Sequence, residues 1–240
     1  NRREEVAAAA REILRLVREE GLRYREIAVI ARNLEAYGDL AATVFAEHGI
    51  PAFIDRRRTV AHHPLVELIR AALEVVVQDW SYGPVFRYLK TDLTGVSRTE
   101  IDLLENYVIE HGIRGRAWQQ PDPWQFLRRY TLEEDVVTPG PAQQALLQEI
   151  HRIRTRATAA LLAFQRRIQR RGRPGPTVRE LTAYLFQLLD DLKVARQLEA
   201  WKAEAEQRGD LETAREHEQV WTRVLELFDQ IVEGLGDQAL

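Results

Sequence analysis

The sequence contains no cysteine and no methionine, and only three of its 34 basic residues are lysine. Without thiols the chain cannot form a disulfide, a thiolate nucleophile, or a cysteine-ligated zinc or iron–sulfur centre. Without methionine, Asn1 does not read as a natural translation start, and the expectation is a piece of a longer protein. No apolar run approaches the roughly 18–20 residues that span a bilayer. The first apolar stretch is short and alternates with Arg and Glu, unlike a secretory signal. No membrane contact is expected, and a cytoplasmic location fits these absences.

What is present is an ordinary globular balance: 240 residues, 45% hydrophobic and 30% charged, with a net charge of −3. That length holds one large domain or two small ones. The small net charge does not announce a nucleic-acid binder, so the distribution of charge matters more than its sum.

Apolar residues at helical spacing predict a helix over 3–20, with Val6, Ala10, Ile13 and Val17 on one face. The nearly all-apolar run Ile27–Ala31 predicts a strand buried on both faces, as in a parallel sheet. A helix over about 34–47 and a second short strand at Ala52–Ile54 follow. Alternation of this kind belongs to an α/β sheet domain, but two strands do not make a stable parallel sheet. The remaining strands are expected from elsewhere. After Arg58 the pattern is helical. A helix enters through Pro64 and carries Leu65, Leu68, Ala72 and Val75, and a shorter one lies near Pro84–Lys90. Ser97 with Glu100 forms a capping-box signature before Ile101, Leu104, Tyr107 and Val108. Residues 112–123 read as loop, with a short helix around Trp124, Phe126 and Leu127. The longest helical pattern runs from Gln143 to about Arg171. Thr177 caps another, and helices over 194–207 and up to about Val232 flank a turn at Gly209. The expected fold is mainly α, with an incomplete α/β portion over 1–58 and a helical domain over 59–240.

Motifs for chemistry are scarce. Gly172–Thr177 (GRPGPT) is the nearest approach to a phosphate-cradling loop, but it lacks the lysine and its prolines remove amide donors. Asp190 with Glu199 and Lys202 superficially resembles a nuclease metal motif; the Glu–Lys spacing is one residue too long and lies on a helix, where an exposed i,i+3 ion pair is the plainer reading. The histidines form no zinc pattern, and His62 and His63 read as surface or capping groups. The acidic run Glu133–Asp135 reads as a solvated loop. The tryptophans sit mostly at helical spacing beside aliphatics and read as core; Trp118, among Gly, Arg and Gln, is the least core-like. No catalytic constellation emerges, and this chain by itself is not expected to be an enzyme or to hold a metal.

One feature stands out. No acidic residue occurs between Ile150 and Arg179, whereas Arg152, Arg154, Arg156, Arg166, Arg167, Arg170, Arg171, Arg173 and Arg179 all fall there. At about 100° per residue, Arg152, Arg156, Arg166, Arg167 and Arg170 share roughly 100° of arc, beside an apolar seam of Ile150, Ile153, Ala157, Leu161, Phe164 and Ile168. With Arg171 they form a candidate stripe about 27 Å long that could follow a phosphate backbone without reading sequence. The other reading is a solvated face answered by the acidic C-terminal helices, which carry Glu199, Glu204, Glu212, Glu216 and Glu226. Arg56–Arg58 form a smaller cluster with the same two readings.

The stretches Arg25–Arg32 (REIAVIAR) and Gly49–Asp55 (GIPAFID) resemble a strand, helix and second strand in the second RecA-like domain of superfamily 1 helicases. In those proteins a helical domain called 2B is inserted soon afterwards. Phe53–Arg57 (FIDRR), His63–Arg70 (HPLVELIR), Phe86–Asp92 (FRYLKTD), Leu104–Val108 (LENYV), Gly112–Gly115 (GIRG), Gly209–Leu211 (GDL) and Glu216–Trp221 (EHEQVW) resemble the AddB family, the B subunits of AddAB-type helicase–nucleases. That resemblance implies a helicase-like subunit working with an AddA-like motor subunit on double-strand breaks in DNA. It implies ATP and Mg²⁺ for the family, and a nuclease with an iron–sulfur cluster elsewhere in the subunit. The present stretch would guide DNA or, alternatively, dock the motor. After Arg32 comes Asn33–Tyr37 (NLEAY), without the second Ser-Arg of true motors, so the resemblance does not extend to ATP contact.

Overall fold

Two asparagines open the first two helices. Asn1 accepts a hydrogen bond from the Arg3 amide at 3.2 Å before α1 (Arg2–Glu19), and Asn33 accepts one from Ala36 at 3.2 Å before α2 (Leu34–Glu47). These contacts come from a computed structural model that describes residues 1–54, 62–125, 140–169 and 175–239. The chain divides into two compact units, Asn1–Thr59 and Val60–Leu240. The expected boundary at 58/59 lies outside the described residues, as do Arg56–Arg58.

In the first unit α1 and α2 pack through Val6, Ala10 and Ile13 against Val44, Phe45 and Ile50. The Tyr37 hydroxyl donates to Glu5 at 2.6 Å, and Arg3 pairs with Glu47 at 3.2 Å. The two expected strands do not form: among the described residues there is no ladder, only an isolated bridge elsewhere in the chain. Ile27 has extended dihedrals, yet Val29 is 55% and Ile30 95% exposed. The reason is physical. A strand is held by hydrogen bonds to neighbouring strands, and two short apolar segments without neighbours keep their composition but lose their pairing. Between them and the two helices lies an apolar trough of about 1640 Å³, lined by Val6, Ile13, Tyr37, Phe45, Val29 and Phe53.

The second unit is helical: α3 (Pro64–Val77), α4 (Tyr82–Leu89), α5 (Arg98–His111), α6 (Pro141–Ile168), α7 (Val178–Asp191), α8 (Val194–Gln207) and α9 (Leu211–Leu235). Its starts follow the capping chemistry read from the sequence. Ser97 Oγ accepts from the Glu100 amide at 3.4 Å while Glu100 accepts from the Ser97 amide at 3.0 Å, and Thr177 with Glu180 does the same at 3.2 and 2.9 Å. Gly112 ends α5 in the left-handed region that an L side chain resists. α6 ends at Ile168, short of Arg171, and α9 runs three residues beyond Val232. The α8–α9 pair forms the expected antiparallel hairpin.

One apolar core runs through α3 to α9. At its centre Trp80 stacks on Trp118 with ring centroids 6.2 Å apart, and Trp118 meets Phe86 at 6.0 Å and Trp124 at 5.2 Å. The least core-like tryptophan by sequence, Trp118 is nevertheless only 1% exposed. It sits on a 3-10 turn (Gly115–Gln119) that folds back over α4, so long-range packing overrides its polar neighbours in sequence. Trp124 is buried without a helix of its own, and Phe126 and Leu127 lie outside the described residues. No helix among the described residues is long and apolar enough to cross a membrane.

Candidate nucleic-acid interface

The geometry of α6 follows from its two faces. Leu147, Ile150, Ile153, Ala157, Leu161 and Phe164 are buried, and their spacing turns Arg152, Arg156 and Arg166 outward, with Arg167 half-buried at the edge. Four of the six candidate residues therefore share one flank of one helix. Arg170 and Arg171 lie outside the described residues, as does Arg173.

Most of this flank is already matched by carboxylates. Arg152 Nη2 donates to Glu100 Oε1 at 2.8 Å and its Nε donates to Glu149 Oε2 at 2.8 Å; Arg156 Nη2 donates to Glu100 Oε2 at 2.6 Å. Arg167 pairs with Asp191 at 3.1 Å. The matching acids lie on α5, α6 and α7, whereas the sequence pointed to the C-terminal helices. Glu100 is thus held by two guanidiniums and by its own helix cap. The Arg156 hydrogen bond first, then the Ser97 backbone and hydroxyl, pull its carboxyl down to about 2. Arg166 differs: its Nε donates to the Leu162 carbonyl at 3.2 Å, and among the described residues no carboxylate lies within 4.0 Å.

Arg154, in the same basic run, faces the other way and is only 2% exposed. Its Nη2 donates to the carbonyls of Gln120 at 3.0 Å and Asp122 at 2.8 Å, and the guanidinium lies 4.4 Å over the Trp124 ring. A signal for this was present, because Arg154 stands four residues from Ile150 and four from Thr158 on the buried face.

Among the described residues no three His, Asp or Glu side chains gather around a possible metal position, and the chain has no thiolate to offer an iron–sulfur cluster. Lys202 reaches across to Glu218 of α9 at 2.8 Å, in place of the i,i+3 partner Glu199 that the sequence favoured. His63 proves to be a cap: its Nδ1 accepts from the Leu65 amide at 3.1 Å. It is buried rather than on the surface.

No family model matches the chain. Over all 240 residues it is 91% identical to the B subunit of the ATP-dependent helicase/deoxyribonuclease of Symbiobacterium thermophilum, covering 21% of that protein. Proteins of the same name from Desulforudis audaxviator and Heliobacterium modesticaldum are 55% and 54% identical over the whole chain, which covers 21% and 19% of their lengths. The chain thus spans about a fifth of the curated relatives it matches.

Proposed function

We propose, for a chain that belongs by sequence to the AddB family, that it is the portion of a helicase/deoxyribonuclease B subunit that scaffolds the enzyme and guides DNA, without performing chemistry itself. In this reading the parent subunit acts with an AddA-like motor at double-strand breaks, in repair and recombination. The nucleotide, Mg²⁺ and any iron–sulfur cluster belong to other parts of the assembly. The first unit is the edge of a RecA-like domain. Its trough and the exposed Val29, Ile30 and Phe53 are covered by further strands of the same subunit, which this fifth of the length does not include.

The observation that carries the proposal is the flank of α6, where Arg152, Arg156, Arg166 and Arg167 stand beside a buried seam. Pairing with Glu100, Glu149 and Asp191 does not disqualify it. Exposed ion pairs contribute only about 0–1 kcal/mol each, so a phosphate can take over a guanidinium at small cost, with counterion release as the driving term. The contacts would be to backbone phosphates and would carry no sequence information.

Duplex-binding titrations at several salt concentrations test this. Weak, sequence-independent binding with a negative salt slope is expected, and changing Arg152, Arg156, Arg166 and Arg167 together to Glu should flatten the slope by roughly 0.9 for each phosphate no longer neutralised. Glu100→Gln should tighten binding, because it releases Arg152 and Arg156 from their shared carboxylate. Affinity indifferent to both changes, in proteins of unchanged helicity, would remove the DNA-guiding role. A second reading, docking of the motor subunit, is favoured by the exposed Phe186 of α7 and Leu227 and Leu235 of α9. Capture of the motor without DNA would support it.

A further inference from the structure

His63 and His217 are 154 residues apart in sequence and meet inside the second unit, with Nε2 of His63 3.0 Å from Nδ1 of His217. The rings pack edge to face at 5.3 Å, and Trp201 of α8 lies 5.4 Å from the His217 ring on the opposite hairpin arm. His63 is 3% exposed and is the N-cap of α3.

The hydrogen bonds fix where the protons sit. Because His63 Nδ1 accepts from the Leu65 amide, that nitrogen carries no hydrogen, so the neutral ring is protonated on Nε2. Nε2–H therefore donates to His217 Nδ1, which in turn must be bare, leaving His217 protonated on Nε2. The opposite arrangement fails: a His217 Nδ1–H needs a bare His63 Nε2, which would move the His63 proton onto Nδ1, against the Leu65 amide. An added proton thus finds no free lone pair inside the pair. Placed on His63 it removes the cap of α3; placed on His217 Nδ1 it points at another N–H.

We propose that this pair is a proton-operated latch, joining the start of α3 to the α8–α9 hairpin while both rings are neutral and releasing it when either becomes cationic. Among the described residues the charged groups acting on the pair are few. Glu216 and Asp210 of the α9 segment favour a cationic His217, and burial outweighs them, so His217 lies below the ordinary imidazole range. For His63, burial first and His217 second act in the same direction, down to about 4. The latch is therefore at full strength above the ordinary imidazole value. It weakens progressively as pH falls below that value, because the released rings take up protons first, and gives way toward the depressed values of the closed pair.

Amide hydrogen exchange of the 240-residue chain between pH 7.5 and 4.5 tests the latch, with rates corrected for their intrinsic pH dependence. Protection at Leu65 should fall roughly tenfold for each pH unit below about 6.5, while Ile101 in α5, capped by Ser97, keeps its protection. His63→Asn retains a side-chain oxygen for capping but does not titrate, so its Leu65 protection should no longer depend on pH. Should that variant fail to fold, ring-nitrogen NMR of the unaltered chain decides. Both Nδ1 atoms should be unprotonated acceptors at pH 7.5. A hydrogen on His63 Nδ1 at that pH, or Leu65 protection that stays constant down to pH 4.5, would overturn the latch.

Discussion

Replacing Trp80 by alanine is expected to lower the stability of the second unit by about 3–5 kcal/mol, the range for deleting a large buried ring. Trp80 is wholly buried, stacks on Trp118, and donates its indole N–H to Gln165 Oε1 at 2.9 Å. Gln165 is itself buried and passes the contact on to Gln169 at 3.0 Å, so alanine leaves an unpaired amide oxygen as well as a cavity. Backbone strain gives nothing back. Asp79 and Trp80 both hold positive φ, at 45° and 56°, and alanine resists that region as tryptophan does. Trp80→Phe separates the two effects: it keeps most of the ring and should cost about 1–2 kcal/mol, mainly for the orphaned Gln165. All five tryptophans lie in the second unit, so denaturant unfolding followed by their fluorescence reports on that unit alone. A loss of less than about 1 kcal/mol for Trp80→Ala, on the scale of the smallest core changes, would show that the core closes over the gap.

The features legible in the sequence were those decided locally. The capping box at Ser97–Glu100 and the cap at Thr177 fixed helix starts through local contacts, and the structure adds Glu180 as the second half of a box at Thr177. The apolar spacing along α6 turned Arg152, Arg156 and Arg166 to one exposed flank, as their angular positions required. What escaped was decided at a distance. Ile27–Ala31 has the composition of a buried strand, but composition does not supply the neighbouring strand that makes one. Trp118 stands among residues that favour a loop and is nevertheless at the centre of the core, because Trp80, Phe86 and Trp124 converge on it from separate segments. Glu100 was visible as a capping residue; that its two oxygens also hold Arg152 and Arg156, more than fifty residues on, depends on how α5 packs against α6.

Arg154 provides the sharpest contrast with its exposed neighbours, and substituting it should separate packing from charge. Its guanidinium ties the Gln120–Asp122 segment and the Trp124 ring to α6, and the cost of burying it already pulls its affinity for a proton below the ordinary guanidinium range, despite Tyr107 and Asp122 nearby. Two effects compete in Arg154→Met. Removing a buried charge relieves desolvation, but it orphans two carbonyl oxygens at about 1–3 kcal/mol each. Gln120 and Asp122 are exposed, so water can reach part of that segment and the lower end applies; a net loss of about 2 kcal/mol is expected. Arg154→Lys should be worse, about 3 kcal/mol, since an ammonium is more strongly hydrated and has no planar face to lie on the Trp124 indole. Chemical denaturation ranks the variants, and a lysine tolerated to within about half a kcal/mol would mean that charge alone is required there. Neither change should alter the salt slope of DNA binding, because this guanidinium faces the core while Arg152 and Arg156 face out. A slope that flattened with Arg154→Met as much as with Arg156→Glu would place the phosphate path on the wrong side of α6.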